Sequence, residues 1–320
     1  MEKEQQQRAA ARRRNRRRRR IRRTVRTLCL LLVVAGVVLA ARWVVEPQRL
    51  QEEKEWLQTT LRSFGGKALL VVEPDSGEVL LAQREEKRFM PASLAKLFVI
   101  DYATTFTELD DVVDVSEAAL ALTKEESSVA WLEARPYYLR DLFAAMLIPS
   151  GNDAAYAVVD YCGGLIDPEA QPGQARVDVF MEHLNGYLRQ QGYEDTMLYD
   201  PSGFDEKAYT TAEDLCAVTA GLLEQEWVRE MVGQLWYAAE LPDGSTQSWK
   251  NTNLFLEPAS EFYNADVTGI KTGSMPGNYH LLVLYEQNGK EFLICSLGSI
   301  SDNARYEAVG DVLKTIDEKF

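Results

Sequence analysis

A serine and a lysine three residues apart, Ser93 and Lys96, have the types and spacing that nucleophilic chemistry requires. Pro91 stands just ahead of them and apolar residues recur at helical spacing to about Phe106, which predicts both side chains on one face of a helix start. A hydroxyl becomes a good nucleophile when a base removes its proton, and a lysine with a lowered pKa is such a base. The Ser93 backbone N–H at the helix start also suits a developing oxyanion.

Two other polar motifs lie far from this pair in the chain. Ser150-Gly151-Asn152 follows Pro149 at a break between two helical segments, where a simple turn or a helix cap explains it equally well. Lys271-Thr272-Gly273 lies in a predicted strand, where a cation beside a hydroxyl suits a substrate carboxylate and the glycine lets a ligand approach closely. Each of the first two motifs alone is weak evidence for an active site, so the prediction rests on the occurrence of all three motifs in one chain.

The elements predicted to position these motifs are strands at both ends of the domain and helices between them. A hairpin of Lys67–Val72 and Glu78–Ala82 starts the sheet, and helical spacing dominates residues 115–235. Later segments predict three more strands and a closing helix, at Asp266–Lys271, His280–Tyr285, Phe292–Gly298 and Ala304–Lys319. This order predicts an α+β fold, with an antiparallel sheet flanked by helices and an inserted helical subdomain.

The first 45 residues differ sharply from the rest of the chain. They carry 14 basic and 2 acidic residues, a net charge of +12, against −26 for the remainder. An apolar run at 27–45 predicts one membrane helix that precedes the fold, and arginine clusters stay on the cytoplasmic side. We expect an Arg-rich cytoplasmic segment at 1–26, an anchor or signal segment at 27–45, a stalk at 46–64 and a catalytic domain at 65–320 outside the cytoplasm. Cleavage near Val38-Leu39-Ala40 would instead give a secreted protein.

Several other functional classes fit the composition poorly. The arginine block by itself is typical of a nucleic-acid-binding arm, but the acidic body and the adjoining apolar run argue against nucleic acid as a partner. The only two histidines, His183 and His280, lack the partners of a metal site or a catalytic triad, so no metal or cofactor is expected. Three cysteines in the body (Cys162, Cys216 and Cys295) are predicted to be buried thiols, with one disulfide left open.

In their full context the three motifs carry a family resemblance. They read Phe89-Met90-Pro91-Ala92-Ser93-Leu94-Ala95-Lys96, Leu147-Ile148-Pro149-Ser150-Gly151-Asn152-Asp153-Ala154-Ala155 and Gly269-Ile270-Lys271-Thr272-Gly273, in that order. With Asp200-Pro201-Ser202-Gly203-Phe204, Thr210–Leu215 and Asn251-Thr252-Asn253 between them, they resemble the penicillin-binding serine D-alanyl-D-alanine carboxypeptidases of the β-lactamase-like superfamily. The resemblance covers roughly residues 66–300.

The resemblance implies a peptidoglycan stem peptide as substrate and β-lactams as covalent inhibitors. Ser93 would attack the bond between two terminal D-alanines with Lys96 as proton acceptor. Ser150 and Asn152 would relay protons and hold the substrate amide. The strand Lys271-Thr272-Gly273-Ser274 would complete the site: Lys271 and Thr272 would bind the terminal carboxylate, and the backbone N–H of Ser274 would form the oxyanion hole with that of Ser93.

One segment departs from the family and two alternative functions stay open. Relatives usually have a threonine and an Ala-Gly pair after the third motif, whereas this chain reads Ser274-Met275-Pro276-Gly277-Asn278-Tyr279. A β-lactamase would need a glutamate that directs water onto the acyl group, for which Glu182 is the nearest candidate. A non-catalytic wall-binding or β-lactam-sensing module would keep the fold without turnover.

Overall fold

The computed structural model describes residues 64–319 of the 320-residue chain. The predicted cytoplasmic segment, the predicted membrane segment and most of the predicted stalk therefore lie outside the described residues. Within them the strands are β1 (Ala68–Val72), β2 (Val79–Gln83), β3 (Val112–Asp114), β4 (Pro136–Tyr138), β5 (Trp236–Glu240), β6 (Thr246–Lys250), β7 (Val267–Met275), β8 (Asn278–Gln287) and β9 (Lys290–Ser299). The α-helices are α1 (Ala95–Ala103), α2 (Glu117–Leu120), α3 (Leu139–Leu147), α4 (Asn152–Ile166), α5 (Gln174–Gln191), α6 (Ala212–Leu223), α7 (Glu226–Val232) and α8 (Asp302–Lys319).

Five strands form one antiparallel sheet in the order β2-β1-β9-β8-β7. The first hairpin and the three C-terminal strands thus share a sheet, as the sequence predicts. Asn288 and Gly289 both take positive φ angles and connect β8 to β9, which is the tight hairpin turn that an Asn-Gly pair favours. The helices α1 to α7 all lie between β2 and β7 in the chain.

The sheet is covered by helices on both faces because its strands are apolar on both sides. Leu70 of β1 belongs to the larger core, with α1, α3, α4 and α6, whereas its neighbours Leu69 and Val71 belong to a second core with α8. Alternate residues of a strand point to opposite faces, so one apolar run serves both layers. The prediction of an antiparallel sheet flanked by helices is confirmed.

Between the two parts of the main sheet, the structure contains two small strand pairs that the sequence did not predict. β4 lies within residues 115–235, which were predicted to be mainly helical, and it pairs as a small antiparallel ribbon with β3 just before that stretch. β5 and β6 form a hairpin that the sequence analysis did not predict at all, around Pro242-Asp243-Gly244. Those three residues are a strong turn signal, and the strands beside them alternate in burial, so the hairpin was detectable.

The described residues bear on two further features of the sequence, a membrane-spanning helix and the state of the cysteines. No helix between Phe64 and Lys319 is long and apolar enough to cross a membrane. Cys162, Cys216 and Cys295 are all buried free thiols, which agrees with the favoured prediction. Burial raises the pKa of Cys162 well above its ordinary value, so this thiol stays protonated and unreactive at neutral pH.

Candidate active site

Ser93 lies in a short 3₁₀ turn, Ala92–Leu94, that leads directly into α1. Ala92 has a φ of 47°, a left-handed conformation that L residues with a Cβ rarely adopt. Gly203 packs so closely against this turn that a Cβ on it would lie 2.0 Å from the Ala92 carbonyl oxygen. The carboxylate of Asp200 holds that glycine-containing loop by accepting hydrogen bonds from the backbone N–H groups of Ser202 and Asp205, at 2.8 and 2.6 Å.

Lys96 is fully buried one turn further along the helix, with its amine next to the Ser93 hydroxyl. Its Nζ lies 2.9 Å from Ser93 Oγ and donates a hydrogen bond to Asn152 Oδ1 at 2.6 Å. Burial lowers the Lys96 pKa to about 7, although the carboxylates of Asp200 and Asp153 act in the opposite direction. A substantial fraction of the amine is therefore neutral at pH 7, and a neutral amine has the lone pair that can accept the Ser93 proton.

Ser150 and Asn152 occupy the junction between α3 and α4. Ser150 has a φ of 64° and Asn152 is the first residue of α4. The backbone N–H of Asn152 donates to the Ser128 carbonyl at 2.8 Å, and the Asp153 carboxylate accepts from the N–H of Ala130 at 2.8 Å. This junction is therefore fixed by the neighbouring loop, and it directs Asn152 at Lys96.

The third motif forms the C-terminal half of β7, the last strand of the sheet order. Lys271 is buried, and its Nζ donates to Ser150 Oγ at 2.6 Å and to its neighbour's carbonyl oxygen at 3.1 Å. Burial lowers the Lys271 pKa, and the charges of Lys96 and Arg305 lower it further. The Thr272 hydroxyl lies 2.8 Å from that of Thr252, which belongs to the Asn251-Thr252-Asn253 segment.

All eight residues predicted for the site are brought together in one place. Ser93, Ser150, Thr272 and Ser274 line one cavity of about 720 Å³. Lys96 and Asn152 lie behind Ser93, and Lys271 lies behind Ser150. Gly273 packs against the turn Ala92–Leu94 that carries Ser93, called the nucleophile turn below, since a Cβ at Gly273 would lie 3.2 Å from Leu94 Cγ.

Arg305 is a cavity residue that the sequence analysis missed. Its Nη1 donates to the Gly273 carbonyl at 3.1 Å and to Ser274 Oγ at 2.9 Å, while its Nε has no partner within the described part of the chain. It pairs with Asp302 at the start of α8. A signal was present, because Arg305 falls on the buried stripe of the last helix, at helical spacing from Val309 and Val312. Burial of an arginine is costly unless its charge is paired and hydrogen-bonded, and these contacts meet that requirement for Arg305.

Carboxylates near the cavity are arranged differently from the β-lactamase expectation. Glu182 lies on α5 and lines a separate surface depression with His183 and Tyr187, away from the residues that surround Ser93. Glu125 and Glu126, which the sequence analysis did not consider, are exposed at the rim of the Ser93 cavity. Between residues 64 and 319 no group of three or more His, Cys, Asp or Glu side chains is placed to hold a metal ion.

Comparison with known proteins assigns the family. The sequence model of the D-alanyl-D-alanine carboxypeptidase peptidases matches residues 57–296, three quarters of the chain, and the protein therefore belongs to this family. The D-alanyl-D-alanine carboxypeptidase DacD of Salmonella typhimurium is 27% identical over 264 residues, which are 79% of this chain and 63% of that protein. The chain thus spans less than two thirds of that relative's length. The D-alanyl-D-alanine carboxypeptidase of Streptomyces sp. K15 is 26% identical over 257 residues, 77% of this chain and 84% of the relative.

Solved structures have the same fold. The Streptomyces K15 DD-transpeptidase superposes with a TM-score of 0.68 at 23% identity, covering 79% of this chain and 97% of that one. Penicillin-binding protein 6B of Escherichia coli gives a TM-score of 0.65 at 24% identity, with 79% and 77% of the two chains covered. The antiparallel sheet flanked by helices is therefore the fold of this group of proteins.

The buried amine gives a prediction that depends only on the site. With lysine side chains labelled with ¹³C at Cε, one resonance of the full-length protein should titrate near pH 7, because burial disfavours the ammonium form of Lys96. This amine should be protonated below that pH and neutral above it. Lys96→Met should remove this resonance, and it should raise the pKa of Lys271, which the charge of Lys96 lowers in the unaltered protein. If the resonance lost in Lys96→Met titrates near the ordinary lysine value of about 10.4, the proposed base is charged at neutral pH and the assignment is wrong.

Proposed function

We propose that this protein is a serine carboxypeptidase that removes the terminal D-alanine from peptidoglycan stem peptides through an acyl-enzyme on Ser93. The observation that carries the proposal is the 2.9 Å approach of Lys96 Nζ to Ser93 Oγ, with the Lys96 pKa lowered to about 7. A buried base beside a serine at the floor of an open cavity is arranged for acyl transfer. Membership of the carboxypeptidase family supports the choice of substrate.

The acylation step follows from the hydrogen bonds of the cluster. Ser93 Oγ attacks the carbonyl carbon of the penultimate D-alanine while its proton passes to neutral Lys96. The oxyanion forms between the backbone N–H groups of Ser93 and Ser274. Their hydrogen bonds stabilise the negative charge most strongly in a site sheltered from water. When the carbon–nitrogen bond breaks, the leaving amine takes the proton that Lys96 accepted, relayed through the Ser150 hydroxyl that Lys271 holds at 2.6 Å, and Lys96 becomes neutral again.

Deacylation uses the same groups in reverse. A water gives a proton to Lys96 and attacks the ester carbonyl, the bond to Ser93 Oγ breaks, and the proton returns to that oxygen. Asn152 holds the Lys96 amine at 2.6 Å throughout and would also contact the substrate amide. Because Glu182 faces a different depression, we assign it no part in directing this water.

Arg305 is the group that we assign to the substrate carboxylate, together with Ser274 and Thr272. Guanidinium groups keep their charge at all relevant pH values and bind carboxylates through paired N–H donors. Burial and neighbouring cations lower the pKa of Lys271, in contrast, and so disfavour the charged form that would bind a carboxylate. Recognition of a free carboxylate would restrict the enzyme to the end of a peptide chain.

We also propose that the domain works outside the cytoplasm, attached to the membrane through residues 27–45. Support for this proposal comes from the sequence, in which a segment of charge +12 precedes an apolar run and the body carries −26. The substrate assigned above is itself a cell-wall component, so an extracytoplasmic domain would meet it directly.

Covalent labelling tests the nucleophile. Ser93→Ala should abolish both the labelling by a fluorescent penicillin and the release of D-alanine from a peptide ending in D-Ala-D-Ala, because it removes the hydroxyl that the proposed base Lys96 contacts at 2.9 Å. Ser76→Ala, in an exposed turn, should keep both activities. In the unaltered protein the penicilloyl adduct, followed by mass spectrometry, should outlive many peptide turnovers. Rapid loss of the adduct would favour a β-lactamase, and a stable adduct without D-alanine release would favour the sensing module.

The carboxylate assignment is tested with two substrates on one variant. Arg305→Leu should raise the KM for a peptide with a free C-terminal carboxylate by about tenfold or more, since a charge-assisted hydrogen bond contributes about 1.5–3 kcal/mol. The same peptide with a C-terminal amide should be processed by the variant and by the unaltered protein at similarly low efficiency. Because both substrates meet the same folded protein, a general loss of structure would lower both efficiencies. Equal losses for acid and amide would contradict the assignment.

Protease accessibility tests the orientation. Protease added to intact cells after removal of the wall should digest the body of the protein, because residues 46–320 are proposed to lie outside. A cytoplasmic protein followed in the same sample should stay intact until the membrane is opened. Protection of the body until that moment would reverse the proposed orientation.

A further inference from the structure

His280 lies at the point where the nucleophile turn meets the catalytic strand. It is fully buried on β8 and pairs across the ladder with Gly273 of β7. The His280 ring occupies the space next to Gly273 that a side chain at position 273 would need, since a Cβ there would lie 3.1 Å from His280 Cδ2. The reaction assigned above does not use this histidine as an acid or a base.

Both ring nitrogens have a backbone partner, and together they fix the tautomer. The N–H of Gly298 on β9 donates to His280 Nδ1 at 3.1 Å, so Nδ1 carries no proton. Nε2 lies 2.9 Å from the Met90 carbonyl oxygen, which can only accept, so Nε2 carries the proton and donates it. One neutral ring thus connects the sheet to the residue that precedes Pro91 and the turn of Ser93.

The turn Ala92–Leu94, which begins two residues after Met90, has a strained backbone that other segments have to hold in place. Ala92 holds a left-handed φ of 47°, and such a conformation persists only where the surroundings enforce it. Gly203 presses on the turn from one direction, and the paired N–H and C=O groups of Phe89 and Thr210 hold its start. His280 supplies the connection from the direction of the sheet.

We propose that His280 is a positioning residue that sets the spacing between the backbone N–H of Ser93 and that of Ser274. The inference rests on the proposed function, in which these two groups bind the oxyanion. Ser274 follows Gly273 on the strand that His280 faces, and Ser93 lies in the turn that starts two residues after Met90, the hydrogen-bond partner of His280. Loss of the Met90 hydrogen bond would let the two donors move apart, which weakens transition-state binding more than substrate binding.

The surrounding charges favour the neutral ring that this role needs. Burial, helped by the cations Arg305 and Lys67, lowers the His280 pKa to about 4, although the hydrogen bond to Met90 acts in the opposite direction. Arg305 Nη1 also donates to the His280 carbonyl at 3.2 Å, and the Phe89 ring packs edge-on at 6.2 Å. The segment that departs from the family, Met275–Tyr279, directly precedes this histidine, and its Asn278 also reaches the Met90 carbonyl, at 3.5 Å.

A matched pair of substitutions at His280 removes the hydrogen bonds of its two ring nitrogens one at a time. In His280→Asn the amide oxygen takes the place of Nδ1 and keeps the Gly298 bond, but the side chain is too short to reach Met90. In His280→Gln the amide nitrogen takes the place of Nε2 and keeps the Met90 bond, but it loses Gly298. Each variant keeps one of the two hydrogen bonds, so thermal unfolding should show comparable losses of stability.

Acylation by a fluorescent penicillin is the discriminating measurement, made on the full-length protein. His280→Asn should acylate about tenfold to a hundredfold more slowly than the unaltered protein, as expected for a misplaced oxyanion hole. His280→Gln should stay within about threefold, because the turn remains attached. For peptide substrate the Asn variant should lose kcat with little change in KM. Equal acylation rates in the two variants, or losses that simply follow their unfolding temperatures, would overturn the proposal.

A measurement on the unaltered protein keeps the test independent of how the variants fold. The ¹⁵N NMR shifts of the His280 ring at pH 7 should show a protonated Nε2 and an unprotonated Nδ1, and a charged ring or the other tautomer would overturn the proposal. Failure of the unaltered protein to react with penicillin or to release D-alanine would instead refute the proposed function. The two failures are therefore distinguishable.

Discussion

In the part of the chain that the structure describes, two lysine amines are buried and bonded to hydroxyl, amide and carbonyl oxygens rather than to carboxylates. Lys96 contacts Ser93 and Asn152, and Lys271 contacts Ser150 and a backbone carbonyl. Removing ammonium groups from water is costly, and without a carboxylate partner the neutral form is favoured. The same burial that opposes folding thus provides a base beside the serine. Each oxygen around the amines has to be held in place by the rest of the fold, since displacement of one would leave an amine without its partner.

The backbone around the amines is held just as firmly. Ala92 and Ser150 both have left-handed φ angles, next to or at residues of the site. Neither conformation is favoured locally, so packing from other segments has to enforce it. The Asp200 loop, the Ser128 carbonyl and the strand β7 supply that packing from three separate parts of the chain. The active site is therefore a property of the assembled domain rather than of any one motif.

The sequence predicted the parts that depend on local patterns. Ser93, Lys96 and the third motif could be identified because helical spacing, strand spacing and residue type each act over a few positions. Arg305 and His280 were missed as site residues because their roles depend on which strand lies beside which helix. The helical spacing of Arg305 indicates that it is buried, but not what it contacts. His280 in particular was set aside for want of a side-chain partner, whereas both of its partners are backbone groups. The β5–β6 hairpin was missed because residues 236–265, between the predicted helical stretch and the next predicted strand, were given no element, although they contain a turn signal and strands that alternate in burial.

The pairing of β1 with β9 has a consequence for how the chain folds. Ala68 of the first strand pairs with Leu297 of the last, so the centre of the sheet joins the two ends of the domain. A ribosome delivers the N-terminal strand first, and this strand has no partner on one side until almost the whole domain has been synthesised. Contacts so distant in sequence make folding slow, and an apolar strand edge that waits for its partner favours association between chains. The nascent domain would therefore depend on protection by chaperones until its last strand has emerged.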